Sequence, residues 1–85
     1  MQSKNYVQIQ WRVPVRIRVG CGIADAVRGP EEALHHLTYR WPATDGPHYD
    51  NARRQCLQAL QKRIAAEVVR ETFVAASLEA GMLER

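Results

Sequence analysis

Three arginines have the type and placement to hold an anion. On a helical wheel at about 100° per residue, Arg53 falls inside an apolar stripe, between Leu60 and Ile64. Arg70 borders a second stripe, between Val74 and Ser77, and Arg40 borders a third, next to Trp41. A guanidinium on a core-facing stripe needs a partner, because a buried unpaired charge is costly. The ordinary solution is a snorkelling stem with ion pairs to Glu32, Asp45 or Glu67. The sharper one is a pocket for an anion or an acidic peptide, since the planar guanidinium fork suits carboxylate and phosphate. Its residues would be Arg40, Trp41, His48, Tyr49, Arg53 and Arg70, gathered on and near the stretch "RWPATDGPHYDNARRQC" that starts at Arg40 and ends at Cys56. On this reading at least one of Arg53 and Arg70 is more than half buried and bonded to a carboxylate, a backbone carbonyl or an anion.

Other reactive side chains offer less. His35 and His36 are neighbours, so on a helix they point about 100° apart and share a metal poorly. Zinc needs three or four ligands, and the chain has neither HExxH nor a Cys-His array. No metal and no cofactor is expected. His48 lies near a helix start and could act as a switch or an acid–base group, but no nucleophile is set beside it. Cys21 lies between Gly20 and Gly22 and is expected in an exposed turn, with Arg18 the one cation at hand to lower its pKa. Cys56 falls within an apolar stripe and packs as a small hydrophobe. There is no GxSxG, no Walker loop and no Gly-rich phosphate cradle, and the lone GxG reads better as a hairpin turn. No catalytic constellation is visible, and an enzyme is not expected.

The elements that must position these residues follow from periodicity. Val7, Ile9, Trp11, Val13, Val15, Ile17 and Val19 occupy odd positions, and Gln8, Gln10, Arg12, Arg16 and Arg18 even ones. Period-two alternation is the mark of a half-buried strand. Pro14 cannot donate to a ladder, so it marks an edge, a bulge or a break. "GCG" signals a turn, and residues 23–28 return as a shorter strand. A two-residue loop would put Ala24 and Ala26 on the core face; a three-residue loop would put Ile23 and Val27 there.

Gly29-Pro30 and Gly46-Pro47 each read as a helix start, with Pro in the first turn. Glu31 and Glu32 suit the positive end of the first dipole. The stripes are Ala33, Leu34, Leu37 and Trp41; then Tyr49, Ala52, Cys56, Ala59, Leu60 and Ile64; then Ala66, Val69, Phe73, Ala76 and Ala80. Pro42 stops the first helix, and Gly81 is placed to end the last. The last two patterns join without Gly or Pro. A single helix of ~34 residues would span about 50 Å, against a radius of gyration of roughly 12 Å for a compact chain of this size. A break is therefore placed near Lys62 to Ala65. The expected architecture is one α+β domain over residues 1–85: a frayed start at 1–5, an N-terminal antiparallel hairpin at 6–28, and three helices at 29–41, 47–62 and 65–80 packed on one face (ββααα).

Composition narrows the partners. Apolar residues make up 46% and charged residues 25%, as in soluble globular domains. The net charge is +3, with nine acidic residues offsetting twelve basic ones. The even face of the strand carries Arg12, Arg16 and Arg18, with Lys4 upstream. That makes weak nucleic-acid binding the alternative function. No aromatic is interleaved there to stack bases, so nucleic acid is not expected as the main partner. No apolar run reaches the roughly 20 residues of a membrane span, and the first residues lack the apolar core of a secretory signal. A cytoplasmic location follows as an expectation, with free thiols. The alternating segment outruns its returning strand, which leaves residues 7–11 without a partner. The C-terminal "GMLER" could lie alongside, two chains could pair there in a homodimer, or the segment could simply fray.

Taken in order, several short pieces resemble the small bacterial domain-of-unknown-function family 982. They are Trp11, Pro14 and Val15; Glu32, Ala33 and Leu34; Leu37, Trp41 and Pro42; Gly46 and Pro47; Cys56, Ala59 and Leu60; and Arg70, Phe73, Ala76 and Ala80. The resemblance runs from about residue 11 to 81. Members of that family usually show Gly and then Ser or a similar cap between the last two helices, where this chain has Lys62 and Ala65. The resemblance supports the fold and implies no activity, substrate or catalytic residue. The leading expectation is a small cytoplasmic interaction module that binds a protein or an acidic or anionic ligand near the corner between the first two helices.

Overall fold

The computed structural model describes residues 9–18, 22–42 and 46–84. It has strands β1 (Val15–Ile17) and β2 (Asp25–Val27), then helices α1 (Pro30–Tyr39), α2 (Pro47–Leu60) and α3 (Ala66–Glu79). This is the α+β hairpin-plus-three-helix layout. The antiparallel register pairs Val15 with Val27, Arg16 with Ala26 and Ile17 with Asp25. That is the register of the three-residue loop, and it buries Val27 completely. Ile23, expected beside Val27 on the core face, is instead 88% exposed, because the ladder ends at the Ile17–Asp25 pair.

The long first strand is a correction too. Among its described residues only Val15, Arg16 and Ile17 form a strand, and the chain bends at Arg12 and Val13. Val13 is 59% exposed, whereas Trp11 returns to the core at 5%. Pro14 has no N–H to give a ladder, so the chain kinks before it and the alternation is interrupted at Val13, then resumes in the same phase at Trp11. Pairing resumes at Trp11, whose N–H donates to the Arg28 carbonyl at 2.7 Å. Val7, Val19 and the expected frayed start lie outside the described residues.

The C-terminus supplies the missing strand partner, at a different place from that expected. α3 ends in a Schellman motif: Gly81 has φ 71°, Gly81 N–H donates to Leu78 C=O at 3.1 Å, and Met82 N–H donates to Ser77 C=O at 2.8 Å. Gly81 takes this left-handed conformation at no steric cost. The chain then runs along β1 rather than along residues 9–11, the described part of the segment expected to need a partner. Arg18 N–H donates to Met82 C=O at 2.8 Å, Glu84 N–H donates to Arg16 C=O at 2.9 Å, and Ile17 bridges to Leu83. β1 is thus flanked by backbone on both sides.

The helix boundaries fall within two residues of the periodic reading. α2 ends at Leu60, and the break expected near Lys62 is a turn in which Lys62 itself has φ 64°. Phe73 is fully buried between two indoles, with ring centroids 5.7 Å from Trp11 and 5.5 Å from Trp41. Val15, Ile17, Val27, Leu37, Cys56 and Val69 complete the centre of the core. Cys56 is free and buried, and burial pushes its thiol up to about 12.

Candidate functional site

The helix corner is filled by the chain's own groups. The Tyr49 hydroxyl donates to the Leu37 carbonyl at 2.9 Å. That carbonyl belongs to the last turn of α1, where acceptors lack helical partners. Trp41 is buried against Phe73. His48 Nδ1 lies 3.2 Å from Glu79 Oε2, and Tyr49 N–H donates to Glu79 Oε1 at 3.3 Å. A helix N-terminus attracts anions, and at α2 the attracted anion is the carboxylate of Glu79 from α3. The fit is close: a Cβ on Gly46, which has φ 135°, would come within 2.8 Å of Glu79 Oε1.

The three arginines leave the corner in three directions. Arg40 pairs with Asp25 of β2 at 3.5 Å. Arg70 is partly buried and donates to the Val13 carbonyl at 2.7 Å and the Pro14 carbonyl at 3.4 Å, the kind of backbone partner expected for one of the pair. Arg53 is exposed beside Asp50, Arg54 and Leu57, on a shallow face open to solvent. Its assignment to the apolar stripe counted Ile64, which lies beyond the end of α2. The buried set is Tyr49, Ala52, Cys56 and Ala59, and Arg53 sits about 80° from its centre. The six residues therefore do not converge on one anion pocket.

The hairpin's basic face is partly neutralised. Arg18 Nε lies 3.0 Å from Glu84 Oε1, and Arg18 also donates to the Gly22 carbonyl. The hydrogen bond and attraction between this pair raise the Arg18 pKa, and the same hydrogen bond lowers that of Glu84. Arg12 contributes its backbone N–H to Glu67 Oε2 at 3.0 Å while its residue stays exposed. Arg16 is exposed, with no ion-pair partner among the described residues. Lys4 lies outside them.

Two residues escaped the sequence reading. His36 is only 8% exposed, and its Nδ1 has no hydrogen-bond partner among the described residues. Burial, and after it the charge of Arg40, holds its pKa below the usual 6.5. Its spacing of three residues after Ala33 was the available signal. Glu79 was the other. A carboxylate in the last turn of a helix opposes that helix's own dipole, which marks it as serving a different element.

The backbone of β2 shows one more feature. Arg16 C=O and Arg18 N–H are turned toward residues 82–84. Val15 and Ile17 therefore make the hydrogen bonds to β2, and alternation turns the N–H and C=O of Ala24 and Ala26 away from β1. Among the described residues nothing pairs with them. Beyond one end stands Ile23, 88% exposed. The Arg40–Asp25 pair draws the end of α1 to the same strand, where Tyr39 is 75% exposed with its ring 5.1 Å from that of His35.

Comparison with known proteins fits this architecture. The family model described as "Protein of unknown function (DUF982)" matches residues 13–84. The chain belongs to the DUF982 family. An NMR structure of an Agrobacterium tumefaciens protein, from a structural-genomics programme, is 31% identical, covers 100% of this chain and 87% of that one, and superposes with a TM-score of 0.79. No curated protein matches. DUF982 membership confirms the resemblance carried by the short motifs, though its match begins at Val13, two residues after the Trp11 with which those motifs start. The DUF982 description assigns no activity. No helix among the described residues is long and apolar enough to cross a membrane.

Proposed function

We propose that this DUF982 chain is a non-catalytic, cytoplasmic interaction module that docks a protein partner on its hairpin. The observation that carries the reading is the edge of β2, where the backbone of Ala24 and Ala26 has no partner among the described residues and Ile23 is exposed beside it. Natural sheets normally cover, shorten or charge such edges; β2 is short, with Asp25 on it, yet keeps the apolar Ile23 exposed beside that backbone. Four of the candidate polar groups meanwhile make internal contacts, His48 with Glu79, Tyr49 with Leu37, Arg40 with Asp25 and Arg70 with Val13, while Arg53 stays exposed. A free, buried Cys56 suits a reducing compartment.

The test is a pull-down with the tagged chain from its own cell lysate, with and without nuclease and high salt. A nuclease-resistant protein partner that is lost from the Ile23→Asp variant supports the reading. Ile23 makes little contact with the core, so that variant should keep its thermal midpoint. Loss of all cargo on nuclease treatment would overturn the reading in favour of nucleic acid.

A further inference from the structure

Resting on that reading, we propose that the partner enters as an extended segment that adds a strand to β2, and that Arg16 selects an acidic side chain on it. Strand addition draws affinity from main-chain hydrogen bonds and specificity from alternate side chains. The backbone of residues 24 and 26 offers those hydrogen bonds. The side chains supply the selection. Val27 faces the core, so Asp25 shares its side of the sheet, where Arg40 holds it at 3.5 Å. Ala24 and Ala26 then lie on the outer face with Arg16 and Arg18.

Arg16 stands directly opposite Ala26. A strand added to β2 would lie two spacings, about 9.5 Å, from β1. Only a methyl group stands between, so the long Arg16 side chain can reach over Ala26 to an outward-facing carboxylate on the incoming strand. Glu84, opposite Arg16 across the other edge of β1, feels the charge of Arg16 but bonds Arg18, so Arg16 makes no ion pair of its own among the described residues. A carboxylate matches the guanidinium fork, whereas a lysine at that place would meet like charge.

A second copy of this chain fits the edge less well. If Ala24 pairs with Ala26 of the copy, the two Asp25 side chains stand directly opposite each other, which is destabilising. If Ala26 pairs with itself, the next pair needs Arg28, whose N–H is held by Glu32 Oε1 at 3.0 Å and whose carbonyl takes the Trp11 N–H at 2.7 Å.

Two capped seven-residue peptides test the proposal, one alternating Val and Glu (VEVEVEV) and one alternating Val and Lys (VKVKVKV). Each is titrated into the ¹⁵N-labelled full chain while amide shifts are followed by NMR. The Glu peptide should move the amides of Ala24, Asp25 and Ala26 and bind at least about fivefold tighter than the Lys peptide. Arg16→Glu, at an exposed position, should leave the spectrum of the fold intact and reverse that order. Equal binding of the two peptides, or an Arg16→Glu variant with unchanged preference, would overturn the selection by Arg16. No shift at Ala24 to Ala26 with either peptide would overturn strand addition, as would an Ala26 amide already protected in the free chain. In that last case contacts to residues 1–8 would identify the chain's own segment as the occupant, and a dependence on concentration would identify a second copy. The interaction reading fails separately, through loss of all cargo to nuclease in the pull-down.

Discussion

The Trp11 indole N–H donates to the Ala66 carbonyl at 2.7 Å, closing 55 residues of chain. Around this bond the first turns of α3 grip the limb that leads into β1. Arg12 N–H reaches Glu67, and Arg70 reaches back to the Val13 carbonyl. The hydrogen bond satisfies the indole N–H in a partly buried setting, and the ring packs on Phe73. Trp11→Phe keeps most of the ring and removes the donor, and should cost about 1–2 kcal/mol. Trp11→Ala also leaves a cavity and should cost about 3–5 kcal/mol. Urea unfolding measures both. A Trp11→Phe protein as stable as the parent would show that the bond contributes nothing.

Lys62 holds φ 64° in the turn between α2 and α3. A side chain there costs about 1–2 kcal/mol that glycine avoids, and glycine's greater freedom in the unfolded chain takes back part of the gain. Lys62→Gly should therefore raise stability by about 0.5–1 kcal/mol. The shift in urea midpoint reads it directly, and a lower midpoint would contradict the left-handed turn.

Glu79 acts as the N-terminal anion of α2. Glu79→Gln removes the charge while keeping the shape, and should cost about 0.5–1.5 kcal/mol, shrinking in high salt. Gly46→Ala places a methyl group against this carboxylate in a backbone conformation that strains an L-residue, and should cost roughly 1–3 kcal/mol. Unfolding curves at low and high salt would decide. A salt-independent, near-zero effect of Glu79→Gln would remove the cap.

His36 makes stability depend on pH. Unfolded, it takes a proton near 6.5; in the fold, burial first and Arg40 next push it lower, with His35 adding to them and Asp25 and Glu32 pulling back. Below that value the unfolded chain binds more protons than the folded one. The contribution is complete above about pH 6.5 and is lost as the pH falls, until the folded histidine also charges. Unfolding measured from pH 8 down to pH 5 should show a steeper loss in the parent than in His36→Leu. Parallel curves would mean that His36 is not held neutral by the fold.

Much of the architecture was legible because local signals agreed. Gly-Pro placed two helix starts, Gly81 closed the last helix, and the stripes of Leu37, Cys56 and Phe73 identified the core. The first strand misled because alternation is a one-dimensional signal. It does not register that Pro14 lets the chain bend, expose Val13 and bring the Trp11 indole to the first turn of α3. The spread of the six candidate residues has a related reason. Wheel position shows which side an arginine leaves from, but its destination depends on distant partners. Asp25, Glu79 and the Val13 carbonyl lie 15, 31 and 57 residues from Arg40, His48 and Arg70. The open edge of β2 was hidden because it depends on where residues 82–84 pair, a contact that no local pattern encodes.

The most direct measurement is amide hydrogen exchange on the free, monomeric chain at the two neighbouring positions Ala26 and Val27. The Val27 N–H faces β1 and should be protected together with those of Val15, Ile17 and Arg18. The Ala26 N–H faces outward and should exchange at least about 100-fold faster than that of Val27, with protection appearing only when a strand-forming peptide is added. An Ala26 amide as protected as that of Val27 in the free monomer would show that the edge is already covered, and would contradict docking at β2.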